Sequence, residues 1–135
     1  DAGGDLRHAG LEPVTVAVAD PVRRDQRAAP VATLRIQDAA VATSGRARQG
    51  YVVAGVRHSH VLDPRTGRPV DHLASITVVA PDAASADGLA TVLGCEPVER
   101  ALAGADDRDV ACLIVDRTGV QHANAAWHRL AATTG

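Results

Sequence analysis

The residues best suited to handling a phosphate or a hard metal ion fall in three short stretches of the 135-residue chain. The first is Ser59-His60-Val61-Leu62-Asp63-Pro64-Arg65-Thr66-Gly67. Here an imidazole precedes a rigid turn: Asp63 bonds the backbone, Pro64 presets φ, and Gly67 supplies a positive φ at the exit. The Thr66 hydroxyl and the turn amides are donors of the kind that phosphate oxygens accept from. The same residues also read as a strand entering a hairpin turn with His60 half exposed. The second stretch is Ala86-Asp87-Gly88-Leu89-Ala90-Thr91. On a helix Asp87 and Thr91 are i and i+4, so a carboxylate and a hydroxyl stand on one face about a turn apart. Both are hard oxygen donors of the sort Mg²⁺ takes, although a solvated helix face with a back-bonded Thr has the same sequence. Gly88 within that helix costs up to ~1 kcal/mol relative to Ala, a hint that something approaches closely. The third is Ala42-Thr43-Ser44-Gly45, read as a tight turn with exposed backbone N–H groups and hence a weak anion site.

Other arrangements are poorer. A Ser44, His60, Asp63 triad can be written down, but no G-x-S-x-G elbow frames the serine. His8, His58, His72, His122 and His128 lack metal-ligand spacing and read as surface residues. Cys95 and Cys112 sit in apolar surroundings without C-x-x-C spacing, which suggests buried structural thiols.

The elements that must position these groups follow from period and punctuation. Alternation predicts strands at Val14–Val18 and Val31–Ile36, apolar β-type runs bounded by turn residues predict Ser75–Ala80, Val110–Val115 and Val120–Ala123, and Tyr51–Leu62 reads as a hairpin or one long bent strand. Pro21 to Pro30 reads as an exposed loop, and Asp116-Arg117-Thr118-Gly119 as a turn. Asp82 is a helix N-cap, Ala83–Leu93 a short helix closed by Gly94, and Pro97 the N1 residue of a second helix ending near Ala103. Strands, a helical pair and strands again give the α+β class, with a largely antiparallel sheet and the helices packed on it.

Composition narrows the function classes. Apolar residues make up 46% and charged residues 22%, so disordered and low-complexity classes are excluded. All 14 basic residues are Arg, scattered along a chain of net charge -2, so no basic stripe marks a nucleic-acid partner. Aromatic residues are only 1%, one Trp and one Tyr, which leaves no evident platform for stacking a flat ring.

In this order and spacing, the motifs resemble the C-terminal portion of the FAD:protein FMN transferases, the ApbE-like family. The stretches carrying the likeness are Ala2-Gly3-Gly4-Asp5-Leu6-Arg7, Ala42-Thr43-Ser44-Gly45, His60-Val61-Leu62-Asp63-Pro64-Arg65-Thr66-Gly67-Arg68-Pro69, Ser75-Ile76-Thr77-Val78-Val79-Ala80-Pro81 and Ala86-Asp87-Gly88-Leu89-Ala90-Thr91. The resemblance implies the T-fold-related architecture of that family, with residues 1–135 as one domain. It implies an enzyme that splits FAD at its pyrophosphate, releases AMP and esterifies FMN onto a Thr of an acceptor protein. Asp87 and Thr91 would ligate Mg²⁺, with the Ala90 carbonyl nearby. Ser44, His60, Val61, Asp63 and Thr66 would line the phosphate and ribityl side of FAD, and His60 could assist proton transfer. The family's N-terminal half, with its D-x-G-x-x-x-K-G-type segment, is a further partner, since it holds much of the flavin and adenine pocket. A non-catalytic flavin-nucleotide or structural module is the alternative. Family members are often membrane-anchored and extracytoplasmic, which is the expectation for location.

Overall fold

The computed structural model describes residues 5–23, 27–45, 50–53, 56–59, 64–67 and 71–131. In chain order these form β1 (Asp5–His8), β2 (Val14–Val18), β3 (Ala32–Ile36), β4 (Ala39–Gly45), β5 (Gly50–Val53), β6 (Val56–Ser59), β7 (Leu73–Ala80), α1 (Ala83–Leu93), α2 (Val98–Asp107), β8 (Ala111–Asp116), β9 (Gln121–Ala123) and α3 (Ala125–Leu130).

Five strands make one sheet in the order β1-β4-β7-β8-β9, every pairing antiparallel. β7 is central and buried along its whole length, which is why Leu73-Ala-Ser-Ile-Thr-Val-Val-Ala is apolar nearly throughout rather than alternating. Its neighbours β4 and β8 are also largely buried. On one face, Ala40, Ala42, Ile76, Val78, Cys112 and Ile114 pack against Ala86, Ala90 and Leu93 of α1 and Ala101 and Ala105 of α2. On the other, Val41, Val79, Leu113 and Val115 meet Val18, Leu34 and Ile36 of the two-stranded β2–β3 ribbon and Trp127 of α3. The small residues on the helix side let α1 lie close to the sheet. The α+β expectation, an antiparallel sheet with a helical pair on it, is what forms.

Three local readings change. Thr43-Ser44-Gly45 is no turn: it is the end of β4, paired with Thr77, Ile76 and Ser75 of β7. Ladder pairing with a central strand outweighs the turn propensity of small hydroxyl residues. The glycine serves close approach instead, since a Cβ on Gly45 would stand 2.6 Å from the Ala74 carbonyl oxygen, beside a β-bulge between Leu73 and Ser75. Pro97 is the N-cap of α2 rather than N1, with ψ at 150°, and the helix runs four residues past Ala103 because Ala105 buries its methyl on the sheet. The third is α3, which forms beyond Ala123, the last residue to which the sequence pattern assigns an element. Its cap is Asn124, whose Oδ1 accepts from Trp127 N at 3.0 Å and Cys112 N at 3.1 Å, while Nδ2 donates to Val110 O at 2.8 Å and Asp106 Oδ1 at 3.1 Å. Among the described residues, no helix is long and apolar enough to cross a membrane.

Candidate active site

The helix carrying the acidic motif is well specified. Pro81-Asp82 stops β7, and the Asp82 carboxylate caps α1 by accepting from Ser85 N at 2.8 Å and from Ser85 Oγ at 2.9 Å. That backbone bond, then the hydroxyl, holds the Asp82 carboxyl below its usual range. With Ala86, Ala90 and Leu93 turned inward, Asp87 and Thr91 are exposed on α1, as the i, i+4 spacing predicts. Thr91 Oγ1 donates to Asp87 O at 3.1 Å, which spends its hydrogen within the helix and leaves its oxygen lone pairs to a ligand. The donor chemistry therefore fits a hard divalent cation, but only in part. No group of three His, Cys, Asp or Glu residues suited to a metal occurs among the described residues. The Ala90 carbonyl accepts from Gly94 N at 3.2 Å as an ordinary helix bond, and its side chain is buried.

Ser44 pairs with Ile76 in the ladder and shares a face of β4 with Ala40 and Ala42, the face that α1 covers. Thr66 lies in the exposed turn Pro64–Gly67, and Gly67 has φ of +67°, the left-handed exit that the motif requires. His60, Val61 and Asp63 lie outside the described residues, as do two of the three members of the triad set aside above. The strands before them, β5 and β6, form the hairpin that was one of two readings of the stretch.

Sequence reasoning missed the link between the turn and the helix. Arg65 Nη2 donates to Cys95 O at 3.1 Å, and Nη1 stands 3.7 Å from Glu96 Oε1. His72, read as a surface residue, is half-buried and its Nε2–H donates to Glu96 O at 2.7 Å. No signal in the sequence pairs Arg65 with a backbone carbonyl thirty residues on.

On the far side of the sheet lies a cleft of about 670 Å³, lined by Thr33, Leu113, Gln121, His122, Trp127 and His128 among others. None of the described motif residues borders it. His122 is another histidine read as a surface residue; it pairs through Nε2 with Asp116 Oδ2 at 2.9 Å. Asp116 Oδ1 accepts from Thr118 N, Thr118 Oγ1 and Val120 N at 2.9, 2.6 and 3.0 Å, so the Asp-Arg-Thr-Gly turn closes on its own carboxylate. The Thr118 hydroxyl and then His122 hold that carboxyl far below the ordinary range. Cys112 is buried, and desolvation, helped by the negative charge of Asp106, pushes its thiol up to about 12. It is inert, as expected; Cys95 is only partly buried and donates through Sγ to Thr91 O at 3.4 Å.

Known proteins are similar to this chain in sequence and in fold. The FAD:protein FMN transferase of Haemophilus influenzae is 33% identical over 98% of this chain and 40% of that protein, and the one from Escherichia coli K12 is 42% identical over 70% of this chain and 28% of that protein. Among solved structures, the ApbE protein of Thermotoga maritima superposes with a TM-score of 0.88 at 29% identity, over 98% of this chain and 44% of that one. A histidine-to-glycine mutant of the flavin transferase ApbE from Vibrio cholerae gives 0.75 at 30% identity, over 96% of this chain and 43% of that one. The chain thus spans less than half the length of these relatives. The family model described as the ApbE family matches residues 1–114, and the chain belongs to that family.

Proposed function

We propose that this chain is the C-terminal portion of a Mg²⁺-dependent FAD:protein FMN transferase and supplies the metal and phosphate side of its site. The observation that carries the reading is the exposure of Asp87 and Thr91 one turn apart on α1, the helix that covers the Ser44 face of β4 and whose end is joined to the Pro64–Gly67 turn. Asp87 and the Thr91 hydroxyl would hold the cation, which when bound neutralises charge at the pyrophosphate. The Ala90 carbonyl, which uses one of its two lone pairs on the helix bond from Gly94 N, would stand nearby as a further oxygen donor.

The protein's own groups would do the rest. Ser44, the Thr66 hydroxyl and the turn amides donate to phosphate or ribityl oxygens, while Val61 and Asp63 shape that wall. His60 would hold or accept the proton of the acceptor threonine as FMN is esterified to it and AMP leaves. Phosphoryl transfer asks mainly for positioning and charge neutralisation, and a helix face beside a rigid turn provides both without an aromatic platform. The flavin ring would then lie against the family's N-terminal half, a partner or solvent. An extracytoplasmic, membrane-anchored location is part of the same reading.

The test is flavinylation of an acceptor threonine by the protein as its gene encodes it, with FAD and Mg²⁺. Asp87→Ala should abolish transfer; undiminished transfer in that variant sinks the reading. The small donor set among the described residues is compatible with one other reading, a non-catalytic flavin-nucleotide or structural module. For residues 1–135 alone, the transferase reading predicts weak FAD binding, so tight binding by calorimetry would favour the module.

A further inference from the structure

We propose that Arg65 is a positioning residue that fixes the Pro64–Gly67 turn against the end of α1, and so sets the separation between the phosphate-side and metal-side groups. The functional half of this inference rests on the transferase reading; the structural half does not.

Helix α1 has no basic residue in its last turn, and its carbonyl end carries partial negative charge without a local cation to meet it. Arg65 brings that cation from thirty residues away, donating to Cys95 O at 3.1 Å just past the C-cap Gly94. Its second nitrogen faces Glu96 Oε1 at 3.7 Å. The end of the helix is itself held to the sheet. A Cβ on Gly94 would stand 3.2 Å from Ile76 Cγ2, and His72, one residue before β7, donates to Glu96 O at 2.7 Å. Sheet and helix end are therefore one body, and Arg65 joins the turn to that body.

Exposure limits what this contact adds to stability. The Arg65 side chain is 53% exposed, and exposed pairs of this kind contribute little to global stability. Geometry is where it acts, since a misplacement of ~1 Å in a reacting group can cost ~10²-fold in rate. The use of two guanidinium nitrogens at once, on a carbonyl and a carboxylate, is a contact that the single ammonium of Lys reproduces only in part.

Backbone amide exchange of the 135-residue chain tests the contact directly. In Arg65→Ala the amides of Thr66, Gly67, Cys95 and Glu96 should exchange several-fold faster, with the global unfolding midpoint unchanged and Arg65→Lys in between. Unchanged exchange overturns the inference, and so does a uniform rise across the sheet, which would mark Arg65 as a general stabiliser. In the full gene product, Arg65→Ala should lower kcat about tenfold with a smaller effect on the FAD KM, and Arg65→Lys should recover part of it. A changed KM with unchanged kcat would overturn the positioning role. If the unaltered protein transfers no FMN at all, the transferase reading fails while the exchange result still judges the contact.

Discussion

The two ends of the sandwich treat their polar groups in opposite ways. Around β8, β9 and α3, polar atoms are consumed internally: Asp116 uses both carboxylate oxygens on its own turn and on His122, and Asn124 uses both ends of its amide on four partners. Around α1 the carboxylate of Asp87 is exposed, and Thr91 keeps its lone pairs outward. Both regions contain Asp, Thr and Gly at turn or helix positions, so composition does not separate them. What separates them is whether the hydrogen-bonding capacity of each group is spent inside the domain. A polar group already satisfied is structural; one held rigidly yet left open is available to a ligand.

The contrast is sharpest in a pair of substitutions. Asn124→Ala removes the cap of α3 and orphans the buried Cys112 N–H, so it should destabilise the fold by about 3 kcal/mol in urea unfolding. Asp87→Ala, the substitution expected to abolish transfer, should shift the same unfolding curve by less than about 0.5 kcal/mol. A large stability loss at Asp87, or a negligible one at Asn124, would collapse the distinction between the two regions.

A gentler version uses pH. Asp116 has its folded pKa depressed by Thr118 first and His122 second, so its contribution to stability is complete above the unfolded carboxylate value of ~3.9. That contribution fades as pH falls below this value and is gone once pH passes the folded pKa. Asp82, lowered chiefly by its bond from Ser85 N, acts in the same direction. Asp116→Asn should therefore flatten the acid limb of stability measured by urea midpoints from about pH 7 down to about pH 2. An acid limb equally steep in Asp116→Asn would mean that the turn does not draw on the charge.

Much of this was legible beforehand, for identifiable reasons. Helix α1 matches its expected limits because Asp82, the small apolar stripe and Gly94 all agree. The central sheet was legible from β-type runs ended by turn residues, as where Pro81-Asp82 stops the mostly apolar Ser75–Ala80. Thr43-Ser44-Gly45 was misread because turn chemistry and close strand approach both ask for small residues, and only the neighbour, the Ala74 carbonyl, decides between them. The Arg65 contact to a main-chain carbonyl leaves no trace in residue types. Helix α3 did carry a signal, an Asn before an Ala-Ala-Trp run, although its six residues are too few for a periodic pattern to emerge. The motif reading set Asp87 and Thr91 on one exposed face of α1 and Pro64–Gly67 in a turn, and both local placements form; His60, Val61 and Asp63 lie outside the described residues and rest on the family likeness.

The smallest expected effect is the most discriminating, and it concerns Gly88. A helix-interior glycine beside Asp87 suggested close approach by another body, and the structure shows that this body is not part of the described domain. Among the described residues nothing lies within 4 Å of where its Cβ would stand, and it is exposed. Within the domain, then, glycine there is pure cost, and Gly88→Ala should raise stability by up to ~1 kcal/mol through helix propensity and reduced freedom of the unfolded chain. If the open face of α1 exists for a ligand or for the family's other half, the same methyl should cost activity or binding in the full protein while stabilising this chain. A gain in stability with no loss of transfer would mean that nothing approaches α1 at this position, and the region would differ from the β8–β9 end only in being solvated.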